Sequence, residues 1–384
     1  ANGTVYAWGW GQYGQLGNGY TTNRDDTDYY SYEKIYSAPV QVLNGAQTSE
    51  TGYLKEVVQI DAMGGTGRGE KNRFGTSLAV TESKEVYGWG NSLYGALGVK
   101  SSIVSTPVRV ATGISTAVQV AGGSKSGSDD YHVNSIGNTG YTYILKEDGT
   151  VSSLGYNVNG ELGNGAKAST TAVQKVSNLT EIMQVAGSKN GNFGAAVKED
   201  GTVWTWGNNT NGQLGNNSTE NSSSPVQVKS ADGNGYLTNI IEISAGSGHN
   251  MALRNDGTVW TWGSNTYGQL GNGSSVNSML PVQVKSADGN SFLADIVQIS
   301  AGYVHSMALK KDGTVLAWGR NDGGQLGNNN TSNKSLPVQV KGGASGSEYL
   351  TDVVQVTAGN WHSMALKANG TVYAWGWGQY GQLG

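Results

Sequence analysis

Residues 1–17 read Ala-Asn-Gly-Thr-Val-Tyr-Ala-Trp-Gly-Trp-Gly-Gln-Tyr-Gly-Gln-Leu-Gly, and residues 368–384 repeat them without a change. Looser copies recur between the two. Self-similarity with a period of about 50 residues is the signature of a repeat architecture, and it decides the fold before any local motif does. Aligned on Gly-Thr-Val, the copies begin at Gly3, Gly149, Gly201, Gly257, Gly313 and Gly370, with a degenerate copy at Lys84-Glu85-Val86-Tyr87-Gly88-Trp89-Gly90. The later copies lie 52 to 57 residues apart, whereas the first two intervals, 81 and 65 residues, carry insertions.

Each period holds four short β-type runs. The first is Gly-Thr-Val-x-x-Trp-Gly, as in Val203-Trp204-Thr205-Trp206, where small or β-branched residues alternate with aromatic ones at the period of a strand. The second is Pro-Val-Gln-Val or a close variant at Pro39, Pro107, Pro225, Pro281 and Pro337, which accounts for all 5 prolines. Proline lacks a ladder N–H, so it places this run at a strand start or a sheet edge. The third run is aliphatic, as in Ile240-Ile241-Glu242-Ile243, and the fourth is His-Ser-Met-Ala-Leu or a relative. An Asp-Gly or Asn-Gly pair joins the fourth run to the next first run at Asp148, Asp200, Asp256, Asp312 and Asn369. Such pairs are hairpin turns.

Four hairpin-linked strands per period predict one propeller blade per repeat. The expected fold is therefore all-β: a β-propeller of four-stranded blades with six full repeats plus the first strand of a seventh. Residues 1–384 form one domain with repeats at approximately 1–83, 84–148, 149–200, 201–256, 257–312 and 313–369, and residues 370–384 duplicate the start. The Gly-Gln-Leu-Gly-Asn loop (Gly212 to Asn216, Gly268 to Asn272, Gly324 to Asn328) is read as structural, its glycines supplying positive φ and its leucine plugging the blade interface. A phosphate cradle would need a following helix N-terminus, and none is signalled.

These residues resemble the regulator of chromosome condensation repeat, Gly-x-Val-x-x-Trp-Gly-x-Asn-x-x-Gly-Gln-Leu-Gly, then Pro, then Val-x-x-Val-x-Ala-Gly-x-x-His-Ser/Thr-x-Ala-Leu. The match runs along the whole chain. The resemblance implies a β-propeller, usually of seven blades, and implies fold more firmly than function. Its members include a nucleotide exchange factor, a plant ultraviolet-B receptor, a secreted enzyme inhibitor and many bacterial surface proteins.

Composition narrows the function classes. The chain has 384 residues, 60 Gly, no Cys and a net charge of −4. It lacks a basic field for nucleic acid or anionic lipid, and no apolar run approaches the roughly 18 residues of a membrane helix. Absence of cysteine removes disulfides and thiol chemistry. The polar but weakly charged composition, 14% charged residues, suits an extracellular or cell-surface bacterial protein. The chain begins at Ala1, as a processed chain or a fragment would.

No catalytic constellation stands out, so no enzymatic activity, cofactor or metal is expected. His249, His305 and His362 share one repeat address, which marks a packing or hydrogen-bonding element rather than a base. Asp232-Gly233-Asn234 and Asp288-Gly289-Asn290 read as plain turns, lacking a full calcium ligand series. Trp8, Trp89, Trp204, Trp206, Trp260, Trp262, Trp318 and Trp375 read as blade-interface packing. Scarce arginine argues against a light-sensing tryptophan cluster. The candidate contact residues are Tyr29, Tyr30, Tyr32 and Tyr36 in one insertion and Arg68 and Arg73 in another, because propeller binding sites are built from loops.

The perfect duplication singles out Val5, Tyr6 and Trp8, with Val372, Tyr373 and Trp375, as an assembly strand. Three arrangements fit it: a tandem array of period 367, strand exchange between neighbouring molecules, or a ring that closes on itself. An open sheet edge is a template for strand addition, which favours assembly. The expected protein is a non-catalytic structural or adhesive propeller whose partner is itself. The alternative is a discrete module that binds another protein, with an exchange-factor-like regulator behind both.

Overall fold

The computed structural model describes residues 3–21, 35–48, 52–64, 75–111, 113–125, 139–343 and 348–384. Among them are twenty-five strands and one 3-10 turn at Leu93–Gly95. The strands amount to six sets of four and one more, as the repeat count requires. They form a β-propeller.

Five sheets have four strands. The first comprises β3 (Val57–Gly64), β4 (Gly75–Thr81), β5 (Val86–Asn91) and β6 (Ile103–Val110). The second comprises β7 (Ala117–Lys125), β8 (Thr139–Lys146), β9 (Val151–Gly155) and β10 (Thr170–Lys175). The third comprises β11 (Ile182–Gly187), β12 (Phe193–Lys198), β13 (Val203–Gly207) and β14 (Ser222–Gln227). The fourth comprises β15 (Ile240–Ala245), β16 (His249–Arg254), β17 (Val259–Gly263) and β18 (Ser278–Gln283), and the fifth β19 (Ile296–Ala301), β20 (His305–Lys310), β21 (Val315–Gly319) and β22 (Lys334–Gln339). The remaining two sheets are partial. One joins β23 (Val353–Ala358), β24 (His362–Lys367) and β25 (Val372–Gly376), and the other joins β1 (Tyr6–Trp10) to β2 (Ile35–Gln41).

Each four-stranded sheet takes the third and fourth runs of one repeat and the first and second of the next. The Asp-Gly hairpins hold the two halves together. At β12–β13 the register is Val197↔Val203, and the turn is a three-residue loop closed by Gly201 at φ +77°. Asp200 accepts the Thr202 amide at 2.9 Å and its hydroxyl at 2.6 Å. The Thr202 hydroxyl bond, followed by the amide bond, holds the Asp200 carboxyl below its ordinary value.

The third-run strands are innermost, and β3, β7, β11, β15 and β19 each pack against the third-run strand of the next blade. The second-run strands are outermost, where proline is tolerated. Pro225 lies inside β14 rather than at its first residue, within a break in register between Thr205 and Gly207. The same break persists in β10, where Val173 stands at the proline position, so the strand pairing and not the proline creates it.

The core lies between blades. Met251, Leu253 and Val259 of one blade meet Ile296, Ile299 and Trp318 of the next. The loop leucines Leu97, Leu162, Leu214, Leu270 and Leu326 are fully buried there. Glycine at the loop end is obligatory: at Gly271, φ is +65° and a Cβ would sit 2.7 Å from the Trp318 indole nitrogen.

Candidate protein-contact site

Three sets of polar links tie each blade to its neighbour. The innermost is a ladder of glutamines. Gln59 accepts from the Val120 amide at 2.9 Å and donates to its carbonyl at 3.1 Å. Gln119 does the same to Val185. Gln184 accepts from Ile243 at 2.7 Å, and Gln298 from Val356 at 2.8 Å. Glu242 replaces glutamine at one rung and faces the Ile299 amide at 3.3 Å. Burial pushes its carboxyl up to about 7, because no cation offsets the lost hydration.

The second set uses the histidines. His249 Nε2 lies 3.1 Å from the Ser306 hydroxyl, and His305 Nε2 lies 3.0 Å from that of Ser363. Ser306 donates to the Gln269 carbonyl and Ser363 to that of Gln325. Each hydroxyl proton is thus committed, so Nε2 carries the hydrogen and the serine accepts it. Burial is the main force that lowers His249 and His305 to about 3 and His362 to about 4. A neutral, proton-donating imidazole beside a committed hydroxyl cannot activate that serine as a nucleophile. The third set is tryptophan to loop: Trp206, Trp262 and Trp318 donate to the carbonyls of Glu161, Gln213 and Gln269 in the preceding blade.

The inner two sets stop at one seam. Among the described residues, Gln355 and His362 have no hydrogen-bond partner in a neighbouring blade, and Gln355 is exposed where the other rungs are half-buried. Ile60 is 58% exposed, whereas its equivalents Val120, Val185, Ile243, Ile299 and Val356 are at most 2% exposed. The tryptophan set does continue around the seam. Trp375 donates to Gln325, Trp8 donates to Gln382 at 3.2 Å, and Trp89 donates to Gln15. Seven first-run strands therefore ring six inner strands. At one end of the channel the inner ring is nonetheless closed: Asn360 donates to the Gly64 carbonyl at 2.8 Å, and Lys189 reaches across to the Ala358 carbonyl.

The duplicated strands flank this seam. Val5 is buried beside β3, whereas Val372, its counterpart, is 54% exposed on β25, whose outer edge pairs with no described strand. Tyr6 is exposed, and Tyr373, Trp8 and Trp375 are half-buried. Tyr36 is half-buried on β2 opposite Gly9. Tyr29, Tyr30, Tyr32, Arg68 and Arg73 lie outside the described residues.

Sequence reasoning missed a half-buried aromatic band that crosses the same seam. Trp10 meets Tyr380 edge-on at 5.0 Å, Tyr380 meets Trp377 at 5.8 Å, and Trp377 meets Trp361 at 6.1 Å. Arg320 lies over Trp361 at 4.5 Å and over Tyr267 at 4.7 Å, and its guanidinium is bonded twice to Asp322. The available signal was the string Trp-Gly-Trp at Trp10 and Trp377, where other copies place Asn208, Ser264 or Arg320 after the glycine.

Comparison with known proteins agrees with this geometry. The model of the RCC1-like domain matches residues 129–384, and that of the regulator of chromosome condensation (RCC1) repeat matches residues 2–62 and 84–126. The chain belongs to the RCC1 repeat family. It is 30% identical over 369 residues to the ultraviolet-B receptor UVR8 of Arabidopsis thaliana, covering 94% of this chain and 72% of that protein. It is 29% identical over its full length to mouse HERC2, an E3 ubiquitin-protein ligase, of which it spans 7%. The crystal structure of Prp20p from Saccharomyces cerevisiae superposes with a TM-score of 0.73 at 22% identity, covering all of this chain and 82% of that one. That likeness shows the propeller fold. No helix among the described residues of this RCC1-type chain is long and apolar enough to cross a membrane.

Proposed function

We propose that this RCC1-type propeller is a non-catalytic, extracellular protein-binding module whose partner is another copy of itself, joined through the duplicated strand. The observation that carries the reading is the seam. The exposed Val372 face of β25, the exposed Ile60 and a Gln355 with no partner among the described residues mark the seam, whereas the inner ladder has a rung at each of the five junctions from β3 to β23. Unpaired strand edges recruit strands. The absence of cysteine and the low charge support the extracellular assignment. The measurement is molar mass by light scattering across a concentration series. A mass that climbs with concentration is expected. A constant monomer mass would replace this reading with a discrete binder.

The aromatic band favours that second reading, capture of a different protein. Tryptophan, tyrosine and arginine dominate binding hot spots. The protein-binding reading is also in keeping with Prp20p, whose structure was described with its binding to Gsp1p and histones.

A further inference from the structure

The broken links at the seam each have a partner already present in the chain, one blade position too far away. Gln59 reaches the Val120 amide of the next inner strand; the residue that stands to Gln355 as Val120 stands to Gln59 is Ile60. His305 bonds Ser363 of the next fourth-run strand; the equivalent partner for His362 is Ser77, whose hydroxyl already donates to Gln15 as Ser363 donates to Gln325. What separates these pairs is the β1–β2 sheet, standing as an extra position between β25 and β3.

The strand that creates the extra position is a duplicate. β25 occupies the edge of β24 in the register Met364↔Ala374 and Leu366↔Val372. β1 has the same sequence, with Ala7 at the place of Ala374 and Val5 at that of Val372. It already lies at the adjacent position, against the Gln382 loop through Trp8 and Trp10. Side-chain contacts with β24 would be the same for either strand, so pairing energy does not discriminate between them.

We propose that β1 and β25 are alternative occupants of one edge, that of β24. When β1 takes it, β23–β24–β1–β2 is a complete four-stranded blade, Gln355 reaches Ile60, His362 reaches Ser77, and the ring closes with six blades. Residues 368–384 are then released, and the site that fits them is the β24 edge of a second copy, whose own β1–β2 stays at the next position as seen here. This rests on the self-association reading above and names its donor and acceptor: one surplus strand and one shared edge per chain.

The absence of cysteine permits a direct test with two double variants, M364C/A374C and M364C/A7C, oxidised at low and high protein concentration. M364C/A7C is expected to form an intrachain disulfide. M364C/A374C is expected to form one when dilute and a ladder of covalent oligomers when concentrated. M364C/A7C that stays reduced while M364C/A374C closes fully overturns the shared edge. Intrachain closure of both pairs with no oligomer at any concentration keeps the alternation, but it overturns the second copy as acceptor and the self-association reading with it. Chymotrypsin on the unsubstituted chain gives an independent measurement. Cleavage after Tyr373 or Trp375 ahead of all other sites is expected of a released strand, and protection there overturns the proposal even if a cysteine variant fails to fold.

Discussion

The junction between the fourth and fifth four-stranded sheets and the seam beside β25 are built from the same repeat, yet they differ in nearly every physical respect. At the first, Ile299 is 2% exposed, Trp318 is fully buried, and His249 and Glu242 each find a partner in the next blade. At the second, Ile60 is 58% exposed, Trp8 is half-buried, and Gln355 and His362 reach nothing among the described residues. The residue types are alike, so the difference is not one of propensity. A blade interface exists only when the neighbour stands one blade away, and at the seam two first-run strands of identical sequence share the space of one.

The largest test of this contrast is aromatic. Trp318→Ala removes a buried indole and its bond to Gln269 and should cost about 3–5 kcal/mol in chemical denaturation. Trp8→Ala, at the half-buried equivalent, should cost only about 1 kcal/mol. Equal losses would mean the seam is packed like the other junctions. Ile299→Ala should likewise cost about 2–5 kcal/mol, and Ile60→Ala under about 0.5 kcal/mol. A large effect at Ile60 would show that solution molecules keep it covered.

The next test concerns the one acidic rung. The Glu242 carboxyl titrates near 7 in the folded chain against an ordinary 4.5, so the folded state binds its proton more tightly than the unfolded state does. The rung is fully stabilising below about pH 4.5 and weakens as pH rises through 7. Glu242→Gln should therefore raise stability by up to about 3 kcal/mol at pH 8 and leave it unchanged at pH 4. The histidines run the other way. Their lowered values mean that the unfolded chain takes up protons first below about pH 6.5, so stability falls toward pH 3 in both proteins. A variant with the same pH profile as the parent would remove Glu242 from the ladder's energetics.

The smallest contrast is hydroxyl against hydroxyl. Ser363→Ala strands the buried His305 donor and should cost about 1–3 kcal/mol, whereas Ser77→Ala loses only its bond to Gln15 and should cost about 1 kcal/mol. If Ser77→Ala proves the costlier of the two, His362 already reaches it in solution, and the six-bladed ring is the dominant form.

Much of the propeller was legible in the chain because it depends on neighbours close in sequence. Asp200-Gly201 specifies a hairpin because the carboxylate caps its own turn and the glycine accepts a left-handed backbone. Trp206 and Leu214 are large and apolar at fixed repeat addresses, so they had to be interior. The shared address of the histidines pointed to a packing or hydrogen-bonding role, and His249 and His305 do bond the Ser306 and Ser363 hydroxyls of the next blade. The aromatic band was not legible: Arg320 and Trp361 lie far apart within the last full repeat, Trp377 lies in the duplicated end, and Trp10 joins them through Tyr380 only because the two ends of the chain meet.

The sequence by itself determined the strands, their turns and the face each side chain buries, since these follow from local periodicity, glycine placement and apolar volume. It also determined that two stretches would have the same local preferences, because they are identical. Only the tertiary structure decided which of the two occupies β24, where the seam falls, and which glutamine and which histidine are left without a neighbour. Identical strands have identical local preferences, so the choice between them lies in ring closure, a property of contacts between residues hundreds of positions apart.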